Sequence, residues 1–255
     1  MDEDRAVQLY REWRRLRLAL PEKPRLATDA RLKCAGLPFG DAFSVTAQQS
    51  IQDLGNFVNS FVFNLRRLRA LTTLVVGLDE NEQFDVVFEL ALPLAYYCLE
   101  APAAIKGRCF HDIAVVSNHA NGRLVPSWPD YGELGHSKRE LAQYMAQFWD
   151  SWPPLHRALG TLNNAAYRRA TRGFRNEFHH GAPNNIAMGS RRKHVRLPNG
   201  VEMLTVEAPV SLQEVVDALT PQTIAAVEVH ERLVNLFTEQ CGAMANKRIE
   251  QNAKS

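Results

Sequence analysis

The feature that most constrains this chain is a run of about thirty residues, from Ala47 to Val76, with a single apolar stripe. Ile51, Leu54, Val58, Phe61, Leu65, Leu68 and Leu71 or Leu74 return at three- and four-residue steps. That spacing places them on one face of an α-helix, and Gly77 supplies its close. A helix of this length cannot bury its stripe alone, so it requires other helices to pack against. The run predicts a mainly α fold, an antiparallel helical bundle.

Helix starts recur where such a bundle needs them. Thr46 with Gln49, Asp79 with Glu82, Ser137 with Glu140 and Ser211 with Glu214 each set a capping residue three before an acid or amide. A second helix is expected from about Glu80 to Glu100, bent at Pro93, whose missing amide removes one backbone bond. Residues from Ser117 to His136 hold Asn121-Gly122, Pro126, Pro129, Gly132 and Gly135, which read as a long connection. Ser137 then opens a helix that Pro153-Pro154 stops or sharply bends. A further helix runs from about Leu155 to His180, ended by Gly181 and Pro183.

From Lys193 to Ala208 the periodicity changes to alternation, with Val195, Leu197, Val201, Met203 and Val206 as strand positions around Pro198-Asn199-Gly200. An inserted β-hairpin is expected, with Asn-Gly as its two-residue turn. Two closing helices follow, a short one from Ser211 and a longer one from Pro221. One domain is expected: residues 1–45 as an N-terminal extension packing on the bundle, 46–246 as the helical domain with the hairpin at about 194–208, and 247–255 as a flexible tail.

Composition narrows the function classes. Hydrophobic residues form 45% of the 255 and charged residues 23%, a balance that supports a folded core rather than disorder. A net charge of +2 gives no global attraction to nucleic acid or to an anionic membrane, so any such contact must come from local clusters. Cys34, Cys98, Cys109 and Cys241 are widely spaced and without zinc-site patterns, which predicts free buried thiols in a reducing, cytoplasmic setting. The amino-terminal residues lack the apolar core of an export signal. The apolar stretch Phe84 to Ile105 is interrupted by Asp85, Glu89, Pro93, Glu100 and Pro102 and reads as buried helix, so no membrane partner is expected.

The chemistry-bearing segment is Arg175-Asn176-Glu177-Phe178-His179-His180. On a continuous helix Tyr167, Ala170, Phe174 and Phe178 fall on one arc, which is expected to face the core. Arg172, Asn176 and His179 lie nearly opposite, flanked by Arg175 and His180. A guanidinium that grips phosphate oxygens beside an imidazole that moves a proton near neutral pH suits phosphodiester chemistry. In RNA the adjacent 2′-hydroxyl serves as nucleophile, so the protein need only orient it, stabilise charge and supply acid or base. This chemistry calls for no metal or cofactor, and its products are a 2′,3′-cyclic phosphate and a free 5′-hydroxyl.

Arg175-Asn176-x-x-x-His180 resembles the Arg-polar-x-x-x-His signature of HEPN domains, compact helical bundles that include many metal-independent ribonucleases. The resemblance is sharp over these six residues, and the helical architecture over roughly residues 45 to 245 also looks like that family. It implies catalysis by Arg175 and His180, support from Asn176, and a homodimer in which two such helices build one composite site. It further implies RNA as partner, with a role in stress response or phage defence. Members that have lost cleavage bind a nucleotide or regulatory protein instead. Ala182 stands where some members carry a modifiable Tyr, so that form of control is not expected. His179 is also four residues from Arg175, which leaves either imidazole as the functional one, with Arg172 as a further supporting residue.

Two basic groups flank the motif. Arg168 and Arg169 precede it, and Arg191, Arg192 and Lys193 follow, giving candidate RNA-phosphate contacts. Against this, a charge run is often a solvated face, and histidines at a helix carboxyl terminus are favoured by the helix dipole alone. His111, Asp112 and His119 do not have the spacing of a recognised helical ligand pair and are not assigned to a metal.

Overall fold

In the computed structural model the chain is mainly helical, with one small antiparallel sheet. The structure describes residues 1–21, 24–28, 30–32, 41–126, 128–129, 137–180 and 185–252, without the side chains of residues 180, 191, 193, 194 and 248–252. The elements in order are α1 (Glu3–Ala19), α2 (Ala42–Val75), α3 (Glu80–Val86), a π-helical turn (Val87–Ala91), α4 (Leu92–Leu124), α5 (Lys138–Ala146), α6 (Trp152–Thr161), α7 (Ala165–Ala170), α8 (Phe174–His180), β1 (Arg191–Arg196), β2 (Glu202–Glu207) and α9 (Leu212–Asn252). They group into two compact units: Met1–Pro24, Phe61–Ala101 and Asn164–Gln222 in the first, and Arg25–Ser60, Pro102–Asn163 and Thr223–Ser255 in the second.

The predicted stripe of α2 is the core: Ile51, Leu54, Val58, Phe61, Leu65, Leu68, Leu71 and Leu74 are all buried. The helix begins one turn earlier than its sequence pattern suggests. Asp41, not Thr46, meets its first turn, accepting from the amides of Phe43 and Ser44 at 3.0 and 3.3 Å. Thr46 lies inside the helix and donates to the carbonyl of Ala42. The other three expected starts hold: Asp79 accepts from Asn81 and Glu82, and Ser137 with Glu140 and Ser211 with Glu214 form reciprocal boxes.

Prolines proved poor markers of helix ends. The helix does not stop at Glu100; a π turn precedes Pro93, in which Leu92 donates to Val87 five residues back, and α4 continues through Pro102 to Leu124. The wider turn absorbs the hydrogen bond that Pro93 cannot make. The expected connection from Ser117 therefore starts after Leu124, and residues 127 and 130–136 within it lie outside the described residues. Pro153 and Pro154 sit in the first turn of α6, where a missing amide costs nothing. Pro221 falls inside α9, so the two expected closing helices are one.

The helical run Glu80–Leu124 is the one among the described residues long and apolar enough to cross a membrane by length and composition. In its most apolar window 44% of residues are buried inside the protein. Cys98 and Cys109 are buried free thiols, whereas Cys241 is disulfide-bonded, which overturns the expectation of four free thiols. Wide spacing along a chain says nothing about which cysteines meet in space. Cys34 lies outside the described residues.

In the first unit α1 is tied by a double contact of Arg5 with Glu82, at 2.6 and 3.1 Å, and by the Trp13 indole donating to the carbonyl of Arg67. The hairpin pairs Arg191 with Glu207 through Arg196 with Glu202. Its connection is a three-residue loop rather than the expected two-residue turn. Leu197 pairs with Val201, Gly200 donates back to Leu197, and Gly200 has φ of 83°. Pro198 and Asn199 thus form the body of a type I turn, and the left-handed position falls to the one residue without a side chain.

In the second unit Ile105, Cys109, Ile113 and Val116 of α4 are buried, as are Leu141, Met145, Trp152, Leu155 and the α9 residues Leu233, Leu236 and Phe237. Asn121 bridges this core by donating to the carbonyl of Met145 and accepting from the Trp149 indole. Lys247 donates to the carbonyls of Arg123 and Leu124, closing the end of α4.

Candidate functional site

The candidate segment does not lie on a continuous helix from Leu155 to His180. The chain breaks twice: between α6 and α7, where Asn163 is left-handed at φ of 49° and Asn164 caps α7, and between α7 and α8, where Arg172 and Gly173 are left-handed with φ of 51° and 69°. Of the four residues expected to face the core, Tyr167 and Phe174 are buried, while Ala170, the last residue of α7, and Phe178, 40% exposed, are not. Arg172 is drawn off to the hairpin, donating to the carbonyl of Ala208 at 2.8 Å and lying 3.9 Å from Glu214.

What seats α8 is a turn of α4. Pro102 has no amide to donate to the carbonyl of Cys98, and at this loosened turn the buried Tyr167 hydroxyl donates to the neighbouring carbonyl of Leu99 at 2.8 Å. One turn earlier, Tyr96 stacks on Phe174 with ring centroids 5.5 Å apart and meets Phe178 at 5.6 Å. Phe174 and Phe178 are themselves stacked at 5.5 Å. Residues four apart on a helix are surface neighbours, so this aromatic pair carries Arg175 and His179 beside it as a second pair.

That second pair converges on Glu100, itself four residues after Tyr96. Arg175 Nε lies 3.3 Å from Glu100 Oε2 and His179 Nε2 lies 3.2 Å from the same oxygen. The other carboxylate oxygen, Oε1, is buried and has no hydrogen-bond partner among the described residues. Arg175 is half-exposed and spends only Nε on this contact, which leaves the N–H groups on its two terminal nitrogens for an incoming anion. The His179 tautomer with hydrogen on Nε2 satisfies its contact, so the carboxylate fixes the ring's orientation as well as its place.

Among the remaining candidates, Asn176 is exposed on α8. His180 closes the same helix, and its side chain lies outside the described residues, as do those of Arg191 and Lys193. Arg168 and Arg169 are exposed on α7, and Arg192 is exposed on β1. Among the described residues no group of three His, Cys, Asp or Glu side chains is placed to hold a metal ion. Glu100 and Tyr96 were missed in the sequence. They lie about 75 residues from α8, and their four-residue spacing on a predicted helix was the only local signal available.

The arrangement presents a guanidinium and an imidazole organised by one carboxylate on an accessible surface, able to bind an oxyanion and to exchange a proton with it. No protein-family model, curated protein or solved structure matches the chain.

Proposed function

We propose that this protein is a metal-independent endoribonuclease of the HEPN type, a bundle acting as a homodimer, which cleaves RNA by attack of the 2′-hydroxyl. The observation that carries the reading is that Arg175 and His179, on the same helix as His180, converge on Glu100 of α4. Arg175 takes the phosphate through its uncommitted N–H groups, and an imidazole of the His179-His180 pair transfers the proton. Asn176 supports the orientation, and the exposed Arg168, Arg169 and Arg192 guide the strand. The reading carries with it a cytoplasmic setting and a role in stress response or phage defence.

The test is incubation of structured and unstructured RNA with the purified protein in excess chelator, beside Arg175→Ala, His179→Ala, His180→Ala and Glu100→Gln. Fragments ending in 2′,3′-cyclic phosphate are expected. Arg175→Ala and one of the histidine variants should lose on the order of 100-fold in rate, and Glu100→Gln roughly 10-fold. Equal cleavage by all five proteins discards the assignment.

One observation favours a second reading, a non-catalytic nucleotide- or protein-binding module. Glu100 already occupies both Arg175 and His179 within a single chain, as a partner's carboxylate or phosphate would. This reading expects intact RNA after long incubation, together with a nucleotide-dependent rise in melting temperature that Arg175→Ala abolishes.

A further inference from the structure

In the second unit, a cleft of about 340 Å³ lies between α2 and α4, lined by Val45, Thr46, Gln49, Ser50, Arg108, His111, Asp112 and Val115. Its floor carries a buried charge. Asp112 is 3% exposed, and both its oxygens accept from Arg108 Nε, at 2.9 and 3.0 Å. The same guanidinium reaches Asp53 with Nη2 at 3.5 Å. Two carboxylates therefore share one arginine, itself half-exposed. Ser50 is a second oddity: it is 6% exposed, faces this cleft, and its hydroxyl makes no hydrogen bond among the described residues.

Besides the N–H groups that Arg108 keeps on its terminal nitrogens and the imidazole of His111, the cleft holds uncommitted acceptors, and its two carboxylates outnumber its one guanidinium. Gln49 donates one amide N–H to Asp53 at 2.7 Å, which leaves its carbonyl oxygen as an acceptor and its second N–H. Thr46 has committed its hydroxyl hydrogen to the carbonyl of Ala42, which leaves lone pairs. Asp112 keeps lone pairs beyond the two that meet Arg108. Burial raises the carboxyl of Asp112 above its ordinary range, an effect that Arg108 opposes without overcoming. A second cation close to this carboxylate would stabilise its charged form. Val45 and Val115 supply apolar wall for a short hydrocarbon, and the volume sits at the small end of ligand pockets, which run from roughly 300 to 1,000 Å³.

We propose that this cleft binds a small aliphatic amine, its ammonium group held by Asp112, the Gln49 carbonyl and the Ser50 hydroxyl and its methylenes laid against Val45 and Val115. The site is separate from the residues of α8 and does not depend on the nuclease reading, so either can fail alone.

Calorimetric titration of the full chain with 1,4-diaminobutane tests it, with 1-butanol and magnesium chloride at matched ionic strength as controls. Saturable binding of the diamine is expected, with no response to 1-butanol. Asp112→Asn should weaken it about 10-fold, the size of one charged hydrogen bond of about 1.4 kcal/mol. Ser50→Val, which fills part of the cleft without altering charge, should weaken it comparably. Should Asp112→Asn fail to fold, the surface-side Asp53→Asn is the replacement, with a loss of several-fold expected. The proposal is overturned if wild type does not saturate. It is equally overturned if Ser50→Val and the aspartate variant bind as wild type does, or if magnesium displaces the diamine as diffuse charge attraction would allow.

Discussion

Glu100 shows how a single carboxylate oxygen can define a site. Its Oε2 gathers Arg175 and His179, while Oε1 is left without a partner among the described residues, a cost of about 1–3 kcal/mol that stability alone does not explain. Asp41 is the opposite case, a carboxylate whose contacts are structural. Burial works to raise its pKa. The hydrogen bond from Arg123, the amides of Ser44 and Phe43, and the Arg123 charge outweigh that and hold the carboxyl below its ordinary range. A carboxyl depressed on folding adds stability above its unfolded pKa and loses it as pH falls through the folded one. Asp41→Asn keeps a capping oxygen but not the charge, so it should cost about 1 kcal/mol at pH 7. That difference should shrink below about pH 4 and vanish as the wild-type carboxyl protonates. Urea unfolding of both proteins at neutral and acid pH measures it; a constant difference across the range would contradict the assigned role of the charge. Neither residue was legible in the sequence. Glu100 lacks a local motif, and Asp41 was hidden by the better-looking Thr46 and Gln49 pair one turn later.

At the scale of elements, periodicity read well and punctuation read poorly. The α2 stripe was visible because eight apolar residues at helical spacing have no competing explanation, and three capping boxes were visible because their partners are only three residues apart. Prolines misled because a π turn can absorb Pro93 and long helices can run through Pro102 and Pro221. The break between α7 and α8 was invisible for a different reason: Arg172, a residue with good helix propensity, takes a left-handed conformation, anchored by its bond to Ala208. Gly173 follows it at φ of 69°, and a methyl group placed on its Cα would meet nothing within 4 Å, so Gly173→Ala meets backbone strain without a clash. It should destabilise by about 1 kcal/mol, or roughly 2–4 °C in a chain of this size. Because the break sets the angle at which α8 leaves α7, any oxyanion affinity at Arg175 should fall more than the melting temperature suggests. Inorganic phosphate or nucleotide titration beside a thermal melt separates the two effects, and a variant as stable as wild type would show that the left-handed turn carries no strain.

Over the whole molecule, the two compact units each carry a buried free thiol that can report on them separately. Cys98 belongs to the first unit and Cys109 to the second, and both are at 0% exposure. Burial pushes the Cys98 thiol up to about 12 and that of Cys109 higher still, with Asp112 adding to the effect on Cys109. The thiolate is the reactive form, so neither group offers a nucleophile at pH 8 while its unit stays closed. A thiol reagent should therefore modify neither residue in the native protein over minutes and both within seconds in denaturant, with mass spectrometry of peptides assigning each site. When reclosing outpaces modification, the labelling rate of each cysteine scales with the open fraction of its own surroundings. A series in low urea then yields two opening free energies from one sample. Fast native labelling at Cys98 would mean that the turn of α4 between Tyr96 and Pro102 opens locally, and the seat of Glu100, Tyr167 and α8 would have to be reconsidered with it.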